Sequence, residues 1–193
     1  MSITVDARGL YCPQPVILTK RAMDENPGQD IITLVDNPAA LENVCKLAKS
    51  QGYDYTVKNN GLENIIAMTG SCGECAEAAE DKRDVAILVK SDLFGSGNDE
   101  LGAILMKSFM YALTELSTNI SHLIFMNGGV RLTTEGSPVL EHLQVLEESG
   151  VEILSCGTCL DFMQLKDKLK AGQVTNMYTA IETLTKSPKS LIF

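Results

Sequence analysis

The sequence predicts an α/β protein: an N-terminal two-layer β-α-β-α-β-β sandwich, then a C-terminal three-layer α/β/α domain with a mainly parallel sheet. Three observations carry this. Over residues 1–70, strand-like and helix-like stretches are punctuated by Gly28, Gly52 and Asn60-Gly61. Residues 70–84, GSCGECAEAAEDKRD, hold almost no large apolar side chain. From residue 85 onward, short continuous apolar runs alternate with helical stretches, the signature of strands buried on both faces. A chain of 193 residues exceeds the usual domain of ~100–150, so the polar stretch sets the expected division. The parts are a small first domain at 1–70, a linker at 71–84 and a second domain at 85–193.

In order, the first part reads as strand ITVDA, a helix from Pro13 to about Asn26, strand DIITLV and a helix from Pro38 to about Ser50. Strand YDYTVKN, the hairpin signal NNG and strand NIIAMT complete it. Gly28 and Gly52 stand just past the helical stretches, where a left-handed residue commonly closes a helix. The second part opens with VAILVKS, followed by a helix expected to bury Leu101, Leu105, Phe109, Ala112 and Leu116 on one stripe. HLIFMN repeats the strand signal. The helix in SPVLEHLQVLEESG has Val139, Leu143 and Leu146 in phase, Ser137 as cap, Pro138 at its first position and Gly150 as its stop. Strand VEILS, helix DFMQLKDKLKAG, a short segment around VTNMY with a further helix, and strand SLIF follow.

Hydrophobic residues make up 45% and charged residues 21%, ordinary globular usage that supplies a packed core. The net charge of −9 and scattered Lys and Arg argue against nucleic acid as a partner. No apolar stretch approaches the ~20 residues of a membrane span, and MSITVDARG lacks a signal peptide's basic and apolar regions. The expectation is a cytoplasmic protein with no membrane partner. In a reducing compartment, six cysteines are more often reactive thiols, metal ligands or small buried hydrophobes than a disulfide framework.

LYCPQPV places Cys12 between the first strand and the first helix, at the expected cap, with Pro13 as first helical residue. Proline suits that place, because its missing N–H is one the helix leaves unpaired and its fixed φ pre-sets the turn. A thiolate there would meet the remaining free N–H groups and the positive helix end, lowering its pKa from ~8.5 toward neutrality. Pro15 removes a second donor and stiffens the corner. The competing reading is a buried cysteine acting as a small hydrophobe.

With Asp6 and Gly9 ahead of Cys12, Pro13 and Pro15, residues 1 to about 70 resemble the TusA/SirA family of sulfur-relay proteins. The resemblance implies that Cys12 receives sulfur as a persulfide and passes it on, with no metal and no nucleotide cofactor. It implies as partners a cysteine desulfurase or other sulfur or selenium donor protein and a downstream acceptor protein.

SCGTCLDF sets Cys156 and Cys159 after the third strand of the second part, before a helix expected to begin near Leu160 or Asp161. Open α/β sheets bind ligands at that edge, and the spacing allows an internal disulfide or a persulfide resolved by its neighbour. A structural reading packs one or both thiols in the sheet layer. This half resembles DsrE/DsrF-like sulfur-transfer domains. The fusion resembles the YedF group, described as sulfurtransferase-like selenium-metabolism proteins, which implies sulfurtransferase-like persulfide relay. Which of the two cysteines bears sulfur stays open.

CGEC, at Cys72 and Cys75, could relay sulfur or disulfides, or join CGTC in a four-thiolate zinc site. The pairs lie far from ribbon spacing, so no metal is assigned. The alternative from another class remains a thiol-based zinc-binding or redox-sensing interaction protein without transferase activity. FGSGNDELG lacks the Lys-Ser/Thr of a phosphate loop and reads as a helix entry with acids at the dipole's positive end. His122 and His142 read as structural, Cys45 as core or near-core beside Leu41, Val44 and Ala48. The loop GGVRLTTEGS is expected to cover the thiol site or to form a subunit contact in a homo-oligomer.

Overall fold

Strands β1 (Ser2–Asp6) and β2 (Asp30–Val35) run parallel because a helix, α1 (Gln14–Glu25), returns the chain between them. The computed structural model describes residues 2–61, 63–70 and 83–193, and two compact units divide the chain after residue 78. In the first, α2 (Pro38–Ser50) follows β2, and the hairpin of β3 (Tyr53–Asn59) and β4 (Asn64–Gly70) completes a sheet of order β1-β2-β4-β3. Alternation decides the buried face: Ile31, Thr33 and Val35 of β2 lie beside Ile66 and Met68 of the antiparallel β4. Ala22 and Met23 of α1 and Ala40, Val44 and Ala48 of α2 close the same core, so both helices cover one face. The buried Thr19 hydroxyl donates to the Pro15 carbonyl at 2.7 Å and meets Thr33 Oγ1 at 3.1 Å, which satisfies this polar pair inside the core.

The second unit runs β5 (Val85–Val89), α3 (Asp99–Glu115), β6 (Ile120–Phe125), α4 (Leu140–Glu148) and β7 (Glu152–Cys156). It continues with α5 (Gly157–Phe162), β8 (Gln173–Thr175), α6 (Met177–Lys186) and β9 (Lys189–Ile192). Its five strands are parallel in the order β8-β7-β6-β5-β9. Right-handed crossovers put α3 and α4, which pack on each other, on one face. The crossover through α6 runs back across the sheet to β9 and covers the other. Ile87, Leu123, Phe125 and Ile153 therefore share one core with Met110 of α3, Leu146 of α4 and Ala180 of α6. This is the parallel three-layer class that the apolar runs predict.

Three segments depart from expectation. The buried stripe of α3 is Gly102, Met106, Met110 and Leu113, one residue out of phase with the expected one, and Leu101, Leu105 and Leu116 are exposed. Methionine is as apolar as leucine and fills irregular gaps, so hydropathy alone does not select the stripe. The preceding turn does: Phe94 N–H bonds to the Gly102 carbonyl at 3.0 Å and seats that face inward. The cap of α4 is Val139 rather than Ser137, whose hydroxyl accepts the Val139 N–H at 3.4 Å, and Pro138 precedes the helix. The helix expected over DFMQLKDKLKAG begins earlier and stops at Phe162. Gln164 takes φ 56°, Gln164 N–H bonds to Asp161 O at 3.1 Å and Leu165 N–H to Leu160 O at 2.8 Å, a Schellman closure without glycine. Beyond it, Glu135 N–H bonds to Lys168 O at 2.8 Å and Lys170 N–H to Thr133 O at 2.9 Å, so this stretch pairs with the loop after β6 instead of continuing as helix.

That loop crosses β5 closely at Gly129, where a Cβ would lie 2.3 Å from the Val89 carbonyl oxygen. Gly129→Ala is expected to destabilise the second unit by about 3 kcal/mol. Hydrogen exchange followed by mass spectrometry should show faster exchange in β5 and β6 with the first unit's amides unchanged.

Candidate functional site

The chain between β1 and α1 makes an exposed corner that is held from the side by the end of β2 and the loop after it. Ala7 N–H bonds to Leu34 O at 2.9 Å, Gly9 N–H to Asp36 Oδ2 at 2.7 Å, and the Asn37 amide donates to Leu10 O at 3.4 Å. Asn37 also caps α2, its Oδ1 accepting the Ala40 N–H at 2.8 Å, so one residue ties the helix start to the corner. Gly9 adopts φ 70°, a left-handed conformation that strains any side-chain-bearing residue. Just before it, Arg8 grips Asp6 through Nε at 2.8 Å and Nη2 at 2.6 Å, and reaches Glu63 through Nη1 at 2.7 Å. The Arg8 hydrogen bonds hold the Asp6 carboxyl down to about 2, so it stays anionic wherever thiols react.

Cys12 is exposed, Tyr11 beside it is 85% exposed, and Asn43 of α2 donates to Cys12 Sγ at 3.8 Å. The Cys12–Pro13 peptide is cis. Cys12 is not the helix cap: Pro13 is, without a side-chain cap bond, and Pro15 is buried in the first turn. Nor are the backbone amides at the helix start free for the sulfur. Gln14 N–H bonds to Tyr11 O at 3.0 Å, and Val16 and Ile17 N–H both bond to Pro13 O at 3.1 Å, while the two prolines have none. The corner thus supplies access and a fixed position rather than a ring of amides. Cys45 is half-buried at the edge of the core, and burial pushes its thiol up.

In the second unit, Cys156 ends β7 and caps α5, and its residue exposure is only 3%. Cys159, in the first turn of α5, is half-buried and accepts the Asn127 N–H at 3.2 Å. Burial, followed by the adjoining Cys156 thiol, pushes the Cys159 thiol up, against the pull of the Asn127 amide. Asn127 opens a 3-10 helix, Asn127–Thr133, with φ 49°. Thr133 Oγ1 donates to Val130 O at 2.8 Å and shares a buried 2.8 Å hydrogen bond with Ser155 Oγ, which fixes this turn against the end of β7. The turn opened by Asn127 thus meets Cys159 directly, and Thr133 within it is tied to the residue before Cys156. Beside it runs a groove of about 590 Å³, bordered by Asp92, Lys107, Arg131, Phe162 and Met163, with Arg131 Nη1 3.3 Å from Asp92.

Cys72 and Cys75 lie outside the described residues. His122 meets Glu152 at 3.2 Å, His142 packs at a tilt against Tyr111 with ring centres 5.6 Å apart, and Asn98 caps α3 by accepting Leu101 N–H at 2.9 Å, each a structural role. Sequence reasoning missed Asp36, Asn37, Asn43 and Asn127. The run Asp-Asn-Pro at 36–38 is a helix-start signal that could have drawn attention to the first two.

Two labelling outcomes follow from these environments. Iodoacetamide at neutral pH should modify exposed Cys12 faster than half-buried Cys45, read by mass spectrometry of each peptide. Only the thiolate reacts, so a thiol pushed up reacts more slowly at neutral pH than an ordinary one. The Cys159 labelling rate should keep rising with pH beyond the ordinary thiol value of ~8.5.

Residues 3–69 match the family model Sulfurtransferase TusA, from within β1 to within β4 with the Cys12 corner inside. The "Putative sulfur carrier protein" of Archaeoglobus fulgidus is 43% identical over 51 residues, 26% of this chain and 66% of that protein. A protein of the same description from Methanocaldococcus jannaschii is 40% identical over 50 residues, 25% of this chain and 67% of that protein. The matched stretch spans about two thirds of the length of these curated relatives. Among solved structures, a SirA-like protein from Desulfitobacterium hafniense is similar at 32% identity over 36% of this chain and 96% of its own, with a TM-score of 0.34. The ychN protein from E. coli is similar at 17% identity over 57% of this chain and 99% of its own, with a TM-score of 0.46. On the family match and the sequence relatives, the chain belongs, through its first unit, to the TusA family.

Proposed function

We propose that this chain is a cytoplasmic sulfur or selenium carrier in which Cys12 takes up the cargo atom and hands it on. The first domain, 1–70, is the carrier; 85–193 is a DsrE/DsrF-like transfer domain whose Cys156/Cys159 pair accepts sulfur from Cys12; 71–84 links them. One observation carries the reading: Cys12 is exposed on a corner whose backbone is braced by Asp36 and Asn37. A carrier thiol has to enter a donor's site and then an acceptor's, so it needs access from outside and a position that does not wander. Loading is a thiol exchange: Cys12 thiolate attacks the terminal sulfur of a donor persulfide, the donor S–S bond breaks, and the donor thiolate leaves. Exposed Tyr11 gives an apolar contact next to the reacting atom. A cysteine desulfurase is a donor of the right chemistry, and the acceptor is a protein thiol or a sulfur-inserting enzyme.

The test is uptake from a cysteine desulfurase and L-cysteine, followed by mass spectrometry of each cysteine peptide. Wild-type chain should carry an extra sulfur on Cys12, and Cys12→Ser should lose it with the circular dichroism spectrum unchanged. Undiminished loading of the first domain in Cys12→Ser would remove Cys12 from the mechanism.

A further inference from the structure

The two thiols of the second unit are unequal in a way that their spacing does not reveal. Cys159 is the reachable one, half-buried in the first turn of α5, with the Asn127 N–H 3.2 Å from its sulfur. Cys156 lies behind it, 3% exposed at the end of β7. Cys156 stands directly before α5 and Cys159 in its first turn, and the two thiols touch through their side chains. The Asn127 amide is fixed in place, because Thr133 joins its turn to Ser155, the residue before Cys156. That amide pulls against the burial and the Cys156 contact that push the Cys159 thiol up, and it is the donor that meets the sulfur when it is anionic.

We infer that the pair discharges sulfane sulfur as hydrogen sulfide, with Cys159 as the sulfur-bearing thiol and Cys156 as the resolving thiol. The inference rests on the proposed reading of the pair as sulfur acceptors. A persulfide donor first transfers its terminal sulfur to the Cys159 thiolate and leaves as a thiolate. Cys156 sulfur then attacks Cys159 Sγ; the bond between Sγ and the sulfane sulfur breaks, and its electron pair leaves with that sulfur. The Cys156 proton accompanies it, giving hydrosulfide. The sulfane sulfur is reduced by two electrons and the two cysteines are oxidised to a disulfide, which an external dithiol reductant returns to the thiols by exchange.

The direction of cleavage follows from the environment. Attack at the outer sulfur would expel Cys159 thiolate, and attack at Sγ expels hydrosulfide. Exchange favours the leaving group of lower pKa, and burial pushes the Cys159 thiol up. Hydrogen sulfide is the more acidic of the two, so it departs.

The full-length chain, reduced and freed of reductant, is mixed with glutathione persulfide; sulfide is assayed and the peptides are weighed after acid quench and digestion. In wild type, the peptide holding both cysteines should lose two hydrogens as sulfide appears. In Cys156→Ser and in Cys156→Ala, chosen in case the hydroxyl is not tolerated in that buried place, the peptide should instead retain an extra sulfur on Cys159, with the sulfide burst lost. Cys159→Ser should show neither product. An extra sulfur that persists on wild-type Cys159, or sulfur gained by Cys156 in Cys159→Ser at the wild-type rate, overturns the assignment. The Cys12 peptide in the same digest separates the two readings: a loaded Cys12 with an unresolved pair sinks only this inference, and a bare Cys12 with a resolved pair sinks only the carrier.

Discussion

The Asp36 carboxylate accepting the Gly9 N–H at 2.7 Å is the contact on which the first thiol site depends. An exposed loop has no core to define its shape, and its backbone groups would otherwise exchange partners with water. Here the end of β2 and the loop after it supply the partners: Leu34 O for Ala7, Asp36 for Gly9, Asn37 for Leu10. Parallel pairing of β1 with β2 is what brings those two loops together at the same sheet edge. The fold therefore places Cys12 without enclosing it, and the helix that follows contributes its rigid prolines rather than its amides.

The second unit meets the same requirement by the opposite means. Its parallel strands end at an edge where the loop after β6 folds over the end of β7, and the buried Thr133–Ser155 hydroxyl bond holds the two together. A buried hydroxyl left without a partner would cost about 1–3 kcal/mol, so this pair specifies the register of the loop as well as joining it. The close passage of Gly129 over Val89 sets the other end of the loop. Cys159 is covered as a result, and its reactivity is governed by the protein around it more than by solvent.

Much of this fold can be read from the sequence where punctuation is local. The bounds of β2, α2 and β3 coincide with DIITLV, Pro38 to Ser50 and YDYTVKN, because glycine, proline and Asn-Gly signals stand at their ends. The stripe of α3 and the end of α5 cannot be read this way. Met106 and Leu105 are both apolar, and Gln164 closes α5 with no glycine to announce it; the turn before α3 decides in the first place, and pairing with the distant loop after β6 in the second. The site divides likewise. Cys12, Cys156 and Cys159 are visible because a thiol carries its chemistry in its residue type. Asp36, Asn43 and Asn127 are ordinary loop or surface residues whose partners lie 27, 31 and 32 positions away, and only the fold joins them.

The contrast between the two thiol environments also sets what each can do with sulfur. A persulfide on an exposed, braced cysteine is open to whatever acceptor docks, and among the described residues no second thiol is hydrogen-bonded to Cys12 to intercept it. A persulfide on Cys159 has Cys156 at its back and an amide at its front, so its nearest nucleophile belongs to the same turn of chain. Intramolecular reaction at such a spacing carries an effective concentration that a docking protein cannot match unless it binds and orients first. On the proposed reading, exposure keeps sulfur in transit at Cys12, and proximity ends its transit at Cys159.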